Sequence, residues 1–327
     1  MNSDLQHLHE KNSIAFHRAG IYAALFFASA FLAIVSWEAG YWPITILFWL
    51  VIGHLGHVNL FVLHEASHYL LHPNRYLNEI QGIFVGTFSL VPLSSYRHVH
   101  GHHHVHLAQE GDIELWPYTD PQTSRPFRTF AAAMELLLGY IWTPAVFLRG
   151  CIVSKKLPPG VKTRLFLEYG LCFVLWALIL SATAYFGVWN WFLVGFLIPS
   201  LLTGSMQTAR RFIEHMGLYG DTVDTATRTI HDRSLLGRFF SFTILNGDIH
   251  GPHHLHAKVP QSHLPQALEI DLREGLLTPT SVYPNYWLAT KDMLRELSNP
   301  RIGKHWLAQK QHVDRDIASS RLTAVDG

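Results

Sequence analysis

Apolar residues gather into four runs along this chain, at residues 19–37, 42–62, 165–187 and 190–207. Each approaches the roughly 20 residues that a helix needs to cross the hydrocarbon core of a bilayer. The runs form two hairpins, closed by EAGY (38–41) and GVWN (187–190), and neither the runs nor the closures contain a Lys or Arg. Every basic residue therefore falls on the other side, which the positive-inside rule makes cytoplasmic, in a setting that fits a bacterial cytoplasmic membrane. Trp37, Trp42, Trp189 and Trp191 mark the opposite interface.

Two further apolar segments are shorter or interrupted. Residues 80–93 are too few to span, and 130–148 carry Glu135 and Pro144, so both are expected at the interface or as re-entrant pieces. Parity supports this, because a full crossing by 130–148 puts the histidines before it and those after it on opposite faces. Ala28-Ser29-Ala30 mimics a signal-peptidase site, but hydrophobicity continues beyond it, which favours an uncleaved first span. The expected fold is an all-α membrane protein. Four transmembrane helices in two hairpins, with interfacial helices, are capped on the cytoplasmic side by helices that hold a histidine-rich site. One domain covers 1–327, with a core at about 20–270 and a cytoplasmic extension at about 271–327.

Composition agrees with a membrane class: 49% of the 327 residues are hydrophobic and only 15% are charged. A formal charge of +1 without a dense basic patch argues against a nucleic-acid partner. Cys151 and Cys172 are the only cysteines, so there is neither a disulfide framework nor a CxxC zinc site. Histidine is the abnormal count, at 23.

HEASH (64–68) reads as a zinc-protease H-E-x-x-H motif or as part of a larger histidine-built centre. YRHVHGHHHVH (96–106) contains H-x-x-H-H at His100, His103 and His104, and HGPHHLH (250–256) repeats it at His250, His253 and His254. On a helix, positions i, i+3 and i+4 share one face, so each triplet projects three imidazoles into one volume. RRFIEHMG adds His215. Nine imidazoles exceed what one zinc ion uses, and both triplets are surplus to a zinc protease. A carboxylate-bridged bundle needs two Glu-x-x-His pairs, and Glu65–His68 has no second. A histidine-rich two-metal oxidase remains.

HEASH, HGHHH, EH followed by TRTI, and NGDIHGPHHLHAKVP, in this order between paired spans, resemble the integral-membrane fatty acid desaturase superfamily, which also holds hydroxylases and ketolases. The resemblance covers about residues 20–270. It implies a non-haem di-iron centre that uses O2 to remove hydrogen from an unactivated C–H bond of a lipid chain. It also implies iron ligation by His64, His68, His100, His103, His104, His215, His250, His253 and His254, and sets Asn246 at a position that contacts iron through water in some relatives. Desaturation leads. A hydroxylase or ketolase of a small apolar compound is the alternative within this chemistry, and a membrane zinc protease the alternative outside it. No HPGG haem motif and no flavin or nicotinamide fingerprint is present, so electrons are expected from a separate ferredoxin or cytochrome.

Glu65, Asp112, Glu114 and Glu214 offer carboxylates near these histidines to fix imidazole tautomers, with a helix cap or surface charge as the plain alternative. His98, His102 and His106 should point away from the metal face. His54 and His57 lie within the second run as bundle histidines, His57 with a supporting role open to it, and His256 stays outside the ligand set. Arg210 and Arg211 are expected to snorkel to the membrane surface.

Overall fold

Within lipid a backbone must satisfy its own hydrogen bonds, and long apolar runs do so as helices. The computed structural model describes residues 3–154 and 157–308; the end of the expected extension, 309–327, lies outside the described residues. Apart from single turns, its helices are α1 (Ile14–Glu38), α2 (Trp42–Ser67), α3 (Arg75–Phe88), α4 (Leu93–Val105), α5 (Arg125–Val153), α6 (Pro159–Phe186) and α7 (Trp189–His215). The cap adds α8 (Leu235–Thr243), α9 (His250–Leu255), α10 (Leu264–Glu274) and α11 (Tyr286–Glu296). One small parallel pairing, Thr229 with Val282 and Ile230 with Tyr283, ties the cap together.

Two tight reversals close the hairpins. Gly40 (φ +75°) turns α1 into α2, and Gly187 (φ +67°) ends α6 in the left-handed conformation that costs a glycine little. The tryptophans gather at this end: Trp37 and Trp42 stack with centroids 6.2 Å apart, and Trp191 donates to Glu38 at 3.1 Å. Helix α1 runs unbroken through Ala28-Ser29-Ala30. In α7, Pro199 cannot donate to the preceding turn, and the π-turn Leu193–Leu197 lies just before it.

Among the described residues five helices, not four, are long and apolar enough to cross a membrane. The fifth is α5. Residues 130–148 sit inside this 29-residue helix, whose geometry breaks only at Leu138 (φ −126°, ψ 28°). Beside the break, Gly139 presses against Gly204 of α7, and a Cβ on either would strike the other's backbone. Segment 80–93 is not one piece: it finishes α3, then turns at Leu90 (φ +59°) into α4.

The core lies toward the histidine-bearing ends of the long helices. Phe61, Leu63, Leu93, Val99 and Phe147 join α2, α4 and α5, and a second cluster around Tyr118, Phe212, Met216 and Met293 seats the cap on α7. Arg128 donates to the Pro300 carbonyl at 2.8 Å and Trp306 to the Tyr118 carbonyl at 2.9 Å, so the chain beyond α11 packs onto the cap.

Candidate metal centre

Helix α2 delivers His64 in its last turn and His68 at its C-cap. Helix ends leave carbonyls without partners. Here Arg97 of α4 donates to the Ala66 and Ser67 carbonyls, both at 3.0 Å, and Asn78 of α3 donates to Ala66 at 3.0 Å. Arg97 is held in turn by Glu79 at 2.8 Å. Helix α7 ends in His215, and there Arg228 donates to the carbonyls of Ile213 and Met216, both at 2.9 Å. Each long helix that presents histidines at its C-terminus is thus capped by an arginine from another segment.

On α4, His100, His103 and His104 share a face, while His98 bonds Ser154 at 2.9 Å and the His102 ring lies tilted against that of His106. All nine candidate histidines come together in two groups, each with its nitrogen atoms within 4.8 Å of one another. The first holds His64, His68, His100, His104 and His253; the second holds His103, His215, His250 and His254. Membership crosses over. The middle ring of the early triplet joins the later histidines, and His253 joins the early ones.

Ring nitrogens face one another at short range: His64–His253 2.9 Å, His104–His100 3.1 Å, His104–His253 3.0 Å, His250–His215 2.8 Å and His254–His250 3.0 Å, all Nε2 to Nε2. At most one nitrogen of each pair carries a proton, so these contacts cannot all be satisfied as hydrogen bonds. Metal–nitrogen bonds of about 2.1 Å put neighbouring ligand atoms at right angles about 3.0 Å apart, which these separations match. His68 Nε2 is buried without any hydrogen-bond partner. The residues present therefore fit a metal in each group.

The outward nitrogens are tied elsewhere. His103 Nδ1 donates to Asp112 at 2.8 Å, His100 Nδ1 to Glu114 at 2.8 Å and His215 Nδ1 to the Ala226 carbonyl at 3.1 Å. These bonds fix the tautomer that leaves Nε2 free. Asp112 is itself fixed by the amides of Ala108, Glu114 and Leu115. Glu65 and Glu214, adjacent in sequence to ligand candidates, stand 3.7 Å from His64 Nδ1 and 3.6 Å from His250 Nδ1, too far for hydrogen bonds. Glu65 instead accepts from the Gln261 amide nitrogen, and Glu214 takes Arg210. The Gln261 side chain meets His64 Nδ1 at 3.1 Å. With the proton on Nδ1, the amide must present its oxygen there.

Burial drives most of these rings toward the neutral form. His68 is pushed down to about 4, by burial first and by the Arg97 charge second. His104 falls to about 2, again through burial, then through His68, His103 and His215. His100, His250, His253 and His254 lie well below the ordinary value for the same leading reason. His103 differs. Burial opposes its charge, but Asp112 and Glu114 outweigh that and raise it. Neutral rings with a free lone pair are the state that binds metal.

Residues 40–287 match the family model for fatty acid desaturases. The chain belongs to the fatty acid desaturase family. It is 25% identical over 315 residues, 82% of this chain and 80% of the other, to a Delta(9) fatty acid conjugase-like enzyme of Dimorphotheca sinuata. This desaturase-family chain is accordingly an oxidoreductase with histidine-rich groups and apolar, membrane-type helices.

Other sequence expectations resolve individually. Arg210 and Arg211 do not snorkel: Arg210 bonds both oxygens of Glu214 at 2.6 Å, and Arg211 is buried in an ion pair with Glu135 of α5. Both lie within the last two turns of α7, inside the cap, where carboxylates rather than water meet them. Asn246 (φ +58°) donates to the Gln261 carbonyl at 3.0 Å and accepts from Ser241 at 3.2 Å. His54 bonds Thr243 at 3.0 Å, and His256 is engaged with Asp271 at 2.7 Å. Arg97, Asn78, Ala226 and Gln261 were not singled out by sequence, and no motif marks them. Arg228 stands in TRTI, whose position after EH was the available signal.

Proposed function

We propose that the protein is an O2-dependent desaturase of lipid acyl chains, with two irons in the paired histidine groups and electrons from a separate carrier of the ferredoxin or cytochrome type. The observation that carries this reading is the convergence of nine imidazoles into two groups with their Nε2 atoms inward. His64, His68, His100, His104 and His253 would hold one iron, and His103, His215, His250 and His254 the other. Bound there, the irons supply the oxidation of a strong C–H bond, chemistry that belongs to the cofactor.

The chain's own residues orient and exclude. Asp112 and Glu114 keep the protons of His103 and His100 on Nδ1. An apolar cavity of about 90 Å³ lies along α7 at Phe196, Ser200 and Thr203, and a smaller one of about 30 Å³ follows at Gln207, Thr208 and Arg211, reaching Glu114. Both lie along α7, the second ending one turn short of His215, and their apolar linings suit an acyl chain.

The same reading assigns four crossings, α1, α2, α6 and α7, with both histidine groups cytoplasmic. His103 precedes α5 and His215 ends α7, so an even number of crossings separates them; α6 and α7 supply two, and α5 returns to its own side. The break at Leu138 and the tether between Glu135 and Arg211 favour that course.

Expression in a host of simple lipid composition, with mass spectrometry of its lipids against a His103→Ala, His104→Ala control, tests the reaction. Products about 2 Da lighter mean two hydrogens lost, and about 16 Da heavier mean oxygen inserted, a hydroxylase instead. One zinc per chain with proteolytic activity would overturn both.

A further inference from the structure

Nothing in the proposed chemistry uses α8, LLGRFFSFT, the nine-residue helix Leu235–Thr243. Leu235, Leu236, Phe239, Phe240 and Phe242 are 87, 66, 57, 40 and 60% exposed. A contiguous apolar patch of this kind is rare in contact with water and usually marks an interaction surface.

Its depth indicates what covers it. The Thr243 hydroxyl bonds His54 of α2 at 3.0 Å, and the Phe240 ring lies 5.9 Å from the His54 ring. His54 stands twelve residues beyond Trp42, the far-interface end of α2. At about 1.5 Å per residue that is about 18 Å of a hydrocarbon layer about 30 Å thick, which puts His54 about 12 Å inside the cytoplasmic boundary. On the other side Arg18 of α1 donates to the Phe242 carbonyl and lies over its ring at 3.9 Å. Polar groups on the inner face are satisfied within the protein: Ser241 bonds Asn246 at 3.2 Å and Asp248 at 2.8 Å. Arg233 and Arg238 are exposed and make no ion pair among the described residues, and long arginine side chains reach headgroup phosphates from such positions.

We propose that α8 is a re-entrant lipid anchor: its bare face is covered by acyl chains of the cytoplasmic leaflet, with headgroup phosphates over Arg233 and Arg238. The inference rests on the four-crossing arrangement above. Only Ile244 to Ile249 separate α8 from His250, with Leu245 and Asn246 both left-handed (φ +60° and +58°), so the anchor fixes the height of the late histidines against the membrane surface.

The test uses full-length, iron-loaded protein in phosphatidylcholine–phosphatidylglycerol vesicles, with Leu236→Cys carrying a polarity-sensitive fluorophore. Buried Cys151 and Cys172 make the unsubstituted protein the labelling blank, and Gln109→Cys on a cap loop is the water-facing reference. Lipids brominated along the acyl chain should quench the Leu236→Cys label at least fivefold more than aqueous iodide does, with the reverse order for Gln109→Cys. Iodide-dominated quenching at Leu236→Cys overturns the anchor. So does shielding from both quenchers together with a dimer in cross-linking, which makes the face an interface between copies. Quenching needs no turnover, so a protein that proves inactive toward lipids still gives the answer, and the two readings fail separately.

Discussion

At the residue scale the centre depends on which nitrogen of each ring is free. Asp112→Asn and Glu114→Gln keep shape but weaken the hold on the His103 and His100 protons. Such outer partners are worth about 10- to 100-fold in metal affinity or activity. Each variant is expected to lose product by that factor while remaining folded, checked by product yield per chain alongside metal content. Arg228 poses a different case, since it is buried and satisfies two carbonyls at the end of α7. Arg228→Ala should cost about 2–4 kcal/mol, because charged donors are worth about 1.5–3 kcal/mol each and the carbonyls stay buried. Thermal unfolding in detergent measures it, and Arg228→Lys should recover part of the loss.

At the element scale, helix contacts inside lipid rely on small residues that let backbones approach. Gly204→Ala forces a methyl into the backbone of Tyr140 and Gly139, and about 1–3 kcal/mol of destabilisation is expected from such overpacking. Gly170→Ala on α6 meets nothing within 4 Å and should be neutral or stabilising by up to about 1 kcal/mol. Paired melting curves decide the contrast. Four of the five long apolar helices and the i, i+3, i+4 spacing of the histidines were legible in the sequence, because period and length are local properties. The continuation of α5 through 125–153 was not, because Glu135 and Pro144 read as interruptions. Glu135 is neutralised by Arg211, a partner 76 positions away, and Pro144 stays helical while the break falls at Leu138 instead. The carboxylates were half legible for the same reason. Glu65 and Glu214 neighbour histidines along the chain, but a loop folding back over α4 brings Asp112 and Glu114 to the ring nitrogens.

At the scale of the whole molecule, protons and metal compete for one set of lone pairs. Without metal, six rings outside the spans, His68, His100, His104, His250, His253 and His254, have folded values below that of the unfolded chain. Their contribution to stability is complete above about pH 6.5 and is lost as pH falls through the folded values, about 4 for His68. His103, raised, acts in the opposite sense, and one ring does not offset six. The melting temperature of metal-free protein should therefore drop between pH 7 and 4, while the iron-loaded form, stabilised by whatever binds only the folded state, should melt higher at pH 7. Elemental analysis of the purified protein should find two irons per chain.

The exchange of His103 and His253 between the groups governs the order of events during synthesis. Every long apolar helix leaves the ribosome before the 250–254 segment does, and until then the earlier group lacks one of its five histidines and the later group two of its four. The later group is therefore completed only once α9 of the cap has been made. A nascent chain halted before position 250 would carry every long apolar helix but only half of the second group.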